Sequence, residues 1–237
     1  MFTPILESPR FKPFLIGIAG GTGSGKSFFT EQLVSSFGRQ DVAVLDCDSY
    51  YRDNSRLPLE ARDAINFDHP DSIDHDLLYS HVNRLLNGHS IGKPVYDFAQ
   101  HARSSAFNLV ASARIIVVEG IFALWEERLR SLTNFKIFVD AAADLRFIRR
   151  AQRDILRRGR TMDSIVRQYL DSVRPMHQAH IEPTKRFADL VLDNSGQLDL
   201  LPLLGKVHSR VAQHFSFCGH SASSTEAGGS TQLVAVH

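Results

Sequence analysis

The chain has 237 residues, of which 43% are hydrophobic, with a formal net charge of +1. That length suits one α/β domain with enough apolar content for a sizeable core, and the near balance of charge excludes a global bias toward nucleic acid or an anionic membrane surface. No apolar run approaches the length of a membrane-spanning helix, and the two cysteines, Cys47 and Cys218, are far apart and form no metal-ligand pattern, which points to a reducing, cytoplasmic setting.

Residues 1–13 read as an N-terminal extension. Arg10 and Lys12 ahead of an apolar run faintly resemble a secretion signal, but the run is too short and flows straight into a glycine-rich loop. Phe14 to Ala19 is that run, and it reads as a buried parallel strand. Gly20-Gly21-Thr22-Gly23-Ser24-Gly25-Lys26-Ser27 follows and fits G-x-x-x-x-G-K-[ST], the phosphate-binding loop. Each residue type has a task there. Glycines reach backbone angles that turn successive N–H groups onto an anion. Lys26 brings a mobile positive charge to the β- and γ-phosphates, and the Ser27 hydroxyl is placed to ligate Mg²⁺. Phe28 to Phe37 reads as a helix, with Phe29, Leu33 and Phe37 on one face and Gly38 as its stop. The helix start aims its positive end at the same anion. Strand, loop and helix are the context the motif requires.

The remaining pattern alternates strand and helix, which predicts a parallel sheet of about five strands covered by helices on both faces. Strands fit Val42 to Leu45, Ile115 to Val118, Phe135 to Val139 and Leu190 to Leu192. Helices fit Ile73 to Leu86, Leu145 to Arg157, Ile165 to Val173 and Leu200 to Phe215. The folded domain is expected over 14–215. From Ser216 the composition shifts to Ser, Gly, Ala, Thr and His, and 216–237 reads as a disordered tail.

Ligands of an open parallel sheet bind at the carboxyl ends of its strands. Asp46 and Asp48 follow the second strand, and Glu119 follows Val118. Phosphoryl transfer needs one carboxylate to orient or deprotonate the attacking hydroxyl and another to hold the metal and its waters. Asp48 and Glu119 would both sit near the mouth of the loop. Spacing alone does not separate Asp46 from Asp48 as the acid nearer the acceptor. Further on, Arg146, Arg149, Arg150 and Arg153 share a helical face, with Arg157, Arg158 and Arg160 behind them. Such a cluster is a solvated basic face, a nucleic-acid groove with too few interleaved aromatics, or a lid whose arginines meet the transferring phosphoryl group. Gly159 would let such a lid turn.

Taken together, these residues resemble the uridine kinase (uridine–cytidine kinase) family of P-loop kinases. The resemblance runs from about Leu15 to Asn194. It rests on the Gly20–Ser27 loop, Asp48-Ser49-Tyr50-Tyr51, Asn66-Phe67-Asp68-His69-Pro70, Pro94-Val95-Tyr96-Asp97-Phe98 with His101 and Arg103, Glu119-Gly120-Ile121, Arg149–Arg160 and Glu182-Pro183-Thr184-Lys185. The blocks at 66–70 and 94–101 are the specific ones.

The resemblance implies a P-loop kinase-type sheet with a lid and a nucleoside-binding insertion. It implies transfer from ATP or GTP, with Mg²⁺, to the 5′-hydroxyl of uridine or cytidine. Donor phosphates would lie along Gly20, Gly21, Thr22, Gly23, Ser24, Gly25, Lys26, Ser27 and Phe28. Many members carry a second hydroxyl where Phe28 stands, so one side-chain bond to the α-phosphate is absent here. Asp48 matches the base; Ser27 and Glu119, with Asp48 beside them, match the Mg²⁺ shell. Asp68 matches the acid on the ribose diol, whose two adjacent donors one carboxylate can accept. Tyr51, Phe67, Tyr96, Phe98 and His101 match the base pocket. Arg150, Arg153 and Arg160 match lid and phosphate contacts, and Arg153 and Gln168 also match positions near the nucleoside. The family also implies a homo-oligomer, a tetramer, with no nucleic-acid or membrane partner.

Two other readings share the loop. A related kinase acting on a sugar phosphate or vitamin precursor would want a more basic pocket than Asp68, Tyr96 and Phe98 supply. A nucleotide-binding regulatory module specific for guanine would carry an Asn-Lys-x-Asp block, which the chain lacks.

Overall fold

The computed structural model describes residues 12–63, 65–196 and 199–223. Its strands are β1 (Phe14–Ala19), β2 (Val42–Asp46), β3 (Ile91–Asp97), β4 (Ala102–Val110), β5 (Ile115–Glu119), β6 (Phe135–Asp140) and β7 (Leu190–Asp193). Five of them form a parallel sheet in the order β2-β5-β1-β6-β7, and β3 and β4 form a separate antiparallel hairpin. The chain leaves β1 toward β2 on one side and later fills β6 and β7 on the other. A crevice therefore opens at the carboxyl end of β1, where the glycine loop emerges. Register levels the neighbours at that edge: Glu119 pairs with both Ile18 and Asp46, and Ala19 pairs with Phe138.

The helices are α1 (Lys26–Phe37), α2 (Leu59–Asp63), α3 (His75–Leu86), α4 (Glu127–Leu132), α5 (Ala143–Arg158), α6 (Met162–Gln168), α7 (Arg174–Met176) and α8 (Leu200–Ser223). Alternate residues of each strand feed opposite faces of the sheet. Ile16, Ile18 and Val117 pack with Phe29 and Leu33 of α1 and Val207 and Val211 of α8. Leu15, Ala19, Ile116 and Val118 pack with Leu78, Val82 and Leu85 of α3, Leu129 of α4 and Ile181. The interior is thus two apolar layers separated by the sheet.

The five-stranded parallel sheet agrees with the alternating pattern. Several elements depart from it. The hairpin has no clean signature because β4 is exposed throughout its middle, so its side chains do not alternate between core and water. Ile73 stays outside α3: Asp74 caps that helix by accepting from Leu77 N at 3.1 Å, and Ile73 forms an isolated bridge to Tyr51. The helix expected to end at Val173 goes on to Ile181 through two wide π turns, Tyr169–Val173 and His177–Ile181, that bracket Pro175. Proline has no N–H to close the ordinary bond, and the ladder widens around it. α8 runs on through Ser223, so the first part of the expected tail is helical; 224–237, and residues 1–11 of the extension, lie outside the described residues. Among the described residues no helix is long and apolar enough to cross a membrane.

Candidate active site

The glycine loop is held from below. Gly20 has φ of +145°, and a Cβ there would lie 2.1 Å from the Val139 carbonyl oxygen; Gly23 has φ of +75°, and its Cβ would lie 2.3 Å from the Arg146 carbonyl oxygen. Side chains at either position would have to push β6 or α5 away. The Asn194 amide, just past β7, donates to the Ser24 carbonyl at 2.8 Å. Lys26 is buried, and its ammonium donates to the Gly21 carbonyl at 3.0 Å across the loop. Burial lowers its pKa, while the charges of Glu119 and Asp48 favour the ammonium. Ser27 opens α1 with its hydroxyl 3.1 Å from Glu119 Oε1, donating to it. Phe28 is 55% exposed beside the loop.

The two aspartates after β2 have different environments. Asp46 Oδ1 accepts from Ser49 N at 2.8 Å, and Oδ2 is paired with Lys93 of β3. Its carboxylate ties β2 to the hairpin. Asp48 is left open to solvent on the wall of the crevice. The protein packed around that wall raises its carboxyl above the usual value, Lys26 pulls it down, and Arg158 and Arg153 act in the same sense as Lys26. Glu119 is likewise raised by burial and pulled back first by Lys26 and then by the Ser27 hydroxyl.

The hairpin and the segment after Asp48 bring one aromatic group together. Tyr51 lies 5.3 Å from Phe67, 5.2 Å from Tyr96 and 6.4 Å from Phe98, ring centre to ring centre. His101 stacks on Phe67 at 4.9 Å. It takes φ of +46° in the β3–β4 turn, which folds it back over the cluster. Phe98 is 48% exposed, so it is a rim and not core. Asp68 follows Phe67 of this group, and the Tyr51 hydroxyl, raised first by burial, feels the charges of both Asp48 and Asp68. Burial raises the Asp68 carboxyl, and Arg150 and the Ser172 hydroxyl, which donates at 2.9 Å, oppose that shift.

The arginines do not form a solvated face. Arg146 and Arg150 are buried. Arg146 Nε donates to the Ala141 carbonyl at 3.0 Å, and its guanidinium lies against Gly21. Arg149 reaches the Asn194 carbonyl at 3.0 Å. Arg150 donates to the Thr22 hydroxyl at 3.2 Å and to Gln168 Oε1 at 2.9 Å, and Arg160 donates to the same amide oxygen. Arg158 sits 5.6 Å over the Phe98 ring. α5 ends at Gly159, with φ of +62°, which turns the chain so that Arg160 faces Gln168. The loop, the acids, the aromatic cluster and the arginines therefore line one crevice.

A family model for the Phosphoribulokinase / Uridine kinase family matches residues 15–200. The chain belongs to the phosphoribulokinase/uridine kinase family. Within that family it is 47% identical over 200 residues to a uridine kinase of Deinococcus deserti, covering 84% of this chain and 96% of that protein. It is 49% identical over 186 residues to a uridine kinase of Geobacillus kaustophilus, covering 78% of this chain and 88% of that one. In three dimensions it is similar to phosphoribulokinase from Rhodobacter spheroides, with a TM-score of 0.60 at 15% identity over 80% of this chain and 73% of that one. It is also similar to a possible uridine kinase from Bacillus stearothermophilus, with a TM-score of 0.51 at 22% identity over 76% of this chain and 88% of that one.

This member of the phosphoribulokinase/uridine kinase family holds several crevice residues that sequence reasoning missed. Asn194 clamps the loop, and Ser172 holds Asp68, yet each is a common residue without a motif around it. His177 is 7% exposed with Nε2 3.2 Å from Glu182, and it packs on Gly21. Asp154 had a visible signal: it is the one acid inside the run from Arg149 to Arg160.

Proposed function

We propose that this protein transfers a phosphoryl group from ATP or GTP to the 5′-hydroxyl of uridine or cytidine, giving the monophosphate. The observation that carries the proposal is a chain of neighbours. Arg150 joins Thr22 of the phosphate loop to Gln168, Ser172 one helical turn on donates to Asp68, and Asp68 follows Phe67, which lies against Tyr51 in the segment that carries Asp48. Donor loop, proton acceptor and nucleoside pocket are thus contiguous.

In this reading the ribose diol donates to Asp68, whose second oxygen is steadied by Ser172. The base lies among Tyr51, Phe67, Tyr96, Phe98 and His101. Asp48 then meets the primary hydroxyl and takes its proton as the oxygen attacks the γ-phosphorus, whose bond to the bridging oxygen breaks so that ADP or GDP leaves. Its raised carboxyl makes it a stronger base than a free aspartate, and such a base contributes about 10²–10⁴ in rate. Lys26 and the arginines Arg150, Arg153 and Arg160 stabilise charge on the transferring oxygens. Closure of α5 and α6 over the crevice excludes water, which would otherwise take the phosphoryl group.

Ser27 and Glu119 suit Mg²⁺. The ion prefers oxygen ligands and is held in kinases by one or two carboxylates plus the substrate's phosphates. Among the described residues no group of three or more His, Cys, Asp or Glu side chains is placed to hold a metal, so the protein alone supplies a partial shell of that kind. When bound, Mg²⁺ supplies neutralisation of the β- and γ-oxygens.

Incubation with Mg-ATP or Mg-GTP and either pyrimidine nucleoside should yield UMP or CMP by chromatography. No product with any pairing overturns the proposal. The reading extends to a cytoplasmic homotetramer, which sedimentation equilibrium and cell fractionation test.

A further inference from the structure

Four arginines gather around one carboxylate. Asp154 on α5 is 0% exposed. Its Oδ1 accepts from Arg153 Nε at 2.9 Å and lies 2.9 Å from Arg153 Nη2. Arg158 Nη1 is 3.7 Å from the same oxygen, and Arg150 Nε and Arg160 Nη1 are each 3.7 Å from Oδ2. Among the described residues Oδ2 accepts no hydrogen bond and the buried Arg150 Nε donates none. The main chain converges on the same residue, since the Asp154 carbonyl accepts from Gly159 N and from Arg160 N.

The far ends of these arginines point elsewhere. Arg150 reaches Thr22 of the loop and Gln168, Arg160 shares its Nη1 with Gln168 and turns Nη2 to the Ser164 hydroxyl at 2.9 Å, and Arg158 lies over Phe98. Asp68 faces Arg150 and Arg160, and Asp48 faces Arg153 and Arg158, so four cations meet three carboxylates and the cluster keeps one positive charge in excess. Arg150 is buried with its Nε unpaired, and a cluster serving stability alone would gain nothing from such a cation. It suits a site that receives a polyanion.

We propose that Asp154 is a positioning residue. Its carboxylate is the common anchor that holds the four guanidinium groups by their inner edges and so fixes where their outer edges meet the transferring phosphoryl group. It touches neither donor nor acceptor and acts through the arginines. This rests on the phosphoryl-transfer reading above.

The signature is a split between turnover and binding. Asp154→Asn lets the arginines repel one another and lose alignment, but it also adds one net positive charge to the donor site. Misplacement by about 1 Å costs about 10² in rate, so kcat should fall about 100-fold while the Kd for ATP by calorimetry stays within about threefold of wild type or tightens. Asp154→Glu keeps the charge and the fold but displaces the carboxylate by one bond, and should lose about tenfold in kcat with the same unchanged Kd.

Turnover is measured twice, as UMP formation from uridine and as slow ATP hydrolysis without nucleoside. Both should fall together in the variants. Wild type that hydrolyses ATP but makes no UMP or CMP would defeat the nucleoside reading alone, leaving the anchor to be decided on hydrolysis. Wild-type kcat in both variants overturns the anchor. So does a parallel loss of kcat, ATP affinity and Tm, which is what a merely structural residue would give.

Discussion

Burial shifts the protonation of the charged side chains that line the crevice. It raises Asp68 and Glu119 and lowers Lys26, and the protein crowding the open Asp48 carboxyl raises that group as well. Each group is thereby brought nearer to gaining or losing a proton than it would be in water, which suits a site that moves one. Asp48→Asn should cut kcat by about 10²–10⁴ with ATP affinity retained, as read by steady-state kinetics and calorimetry; wild-type turnover would remove Asp48 from the base role. His177 gives a separate, pH-dependent outcome. Burial first, and then Arg146, lower its imidazole to about 4, and half-exposed Glu182 does not offset them. Its folded pKa lies below its unfolded value, so the unfolded chain binds the extra proton between the two. Stability from a neutral His177 is therefore full above about pH 6.5 and lost as pH falls toward 4, by about 3 kcal/mol in all. His177→Phe should flatten the fall in urea midpoint across that window, and an unchanged fall would contradict this assignment.

At the scale of elements, the hairpin is attached to the sheet edge by charge as well as by the apolar contacts of Ile91 and Tyr96. Arg103 of β4 donates to the Tyr51 carbonyl at 2.8 Å and to Asp74 Oδ2 at 3.2 Å, linking the hairpin to the turn that carries Asp48 and to the start of α3. Arg103→Ala should cost about 1–3 kcal/mol in chemical denaturation, because it strands the acceptors it served. It should raise KM for the nucleoside while leaving ATP affinity near wild type, since it loosens Tyr51 and not the loop; equal losses at both ligands would refute that division. The sequence made the sheet legible because Phe14–Ala19 and Ile115–Val118 are continuous apolar runs next to turn signals. It left the hairpin unread because the middle of β4 is exposed on both faces and carries no alternation. It left the long helical passage through Pro175 unread because proline ordinarily ends a helix. For the site, the glycine loop announced itself, whereas spacing left Asp46 and Asp48 alike, because Lys93, which pairs with Asp46, lies 47 residues away and meets it only in the fold.

Across the whole molecule, the crevice is bridged at its top by Arg158 over Phe98 and closed behind by Arg150 on Thr22. A ligand on both sides of that bridge should therefore stabilise the entire domain. Uridine and a non-hydrolysable ATP analogue, each at about one hundred times its Kd, should add about 2.7 kcal/mol apiece, or about 5–10 °C in Tm for each in a chain of this size. A thermal scan in which the nucleoside adds nothing to the analogue's shift would count against a shared cleft. The two apolar layers give this fold a division of labour. The last helix seals its layer with Val207, Val211 and partly buried Leu203 and Leu204, on the side of the sheet away from α3 and α4. A polar residue at Val211 should leave few molecules to purify, each working at its normal pace, whereas a lesion among the lid arginines should leave a full harvest of idle protein. Yield and specific activity, measured side by side, thus report whether an inherited change has damaged the layer under α8 or the crevice.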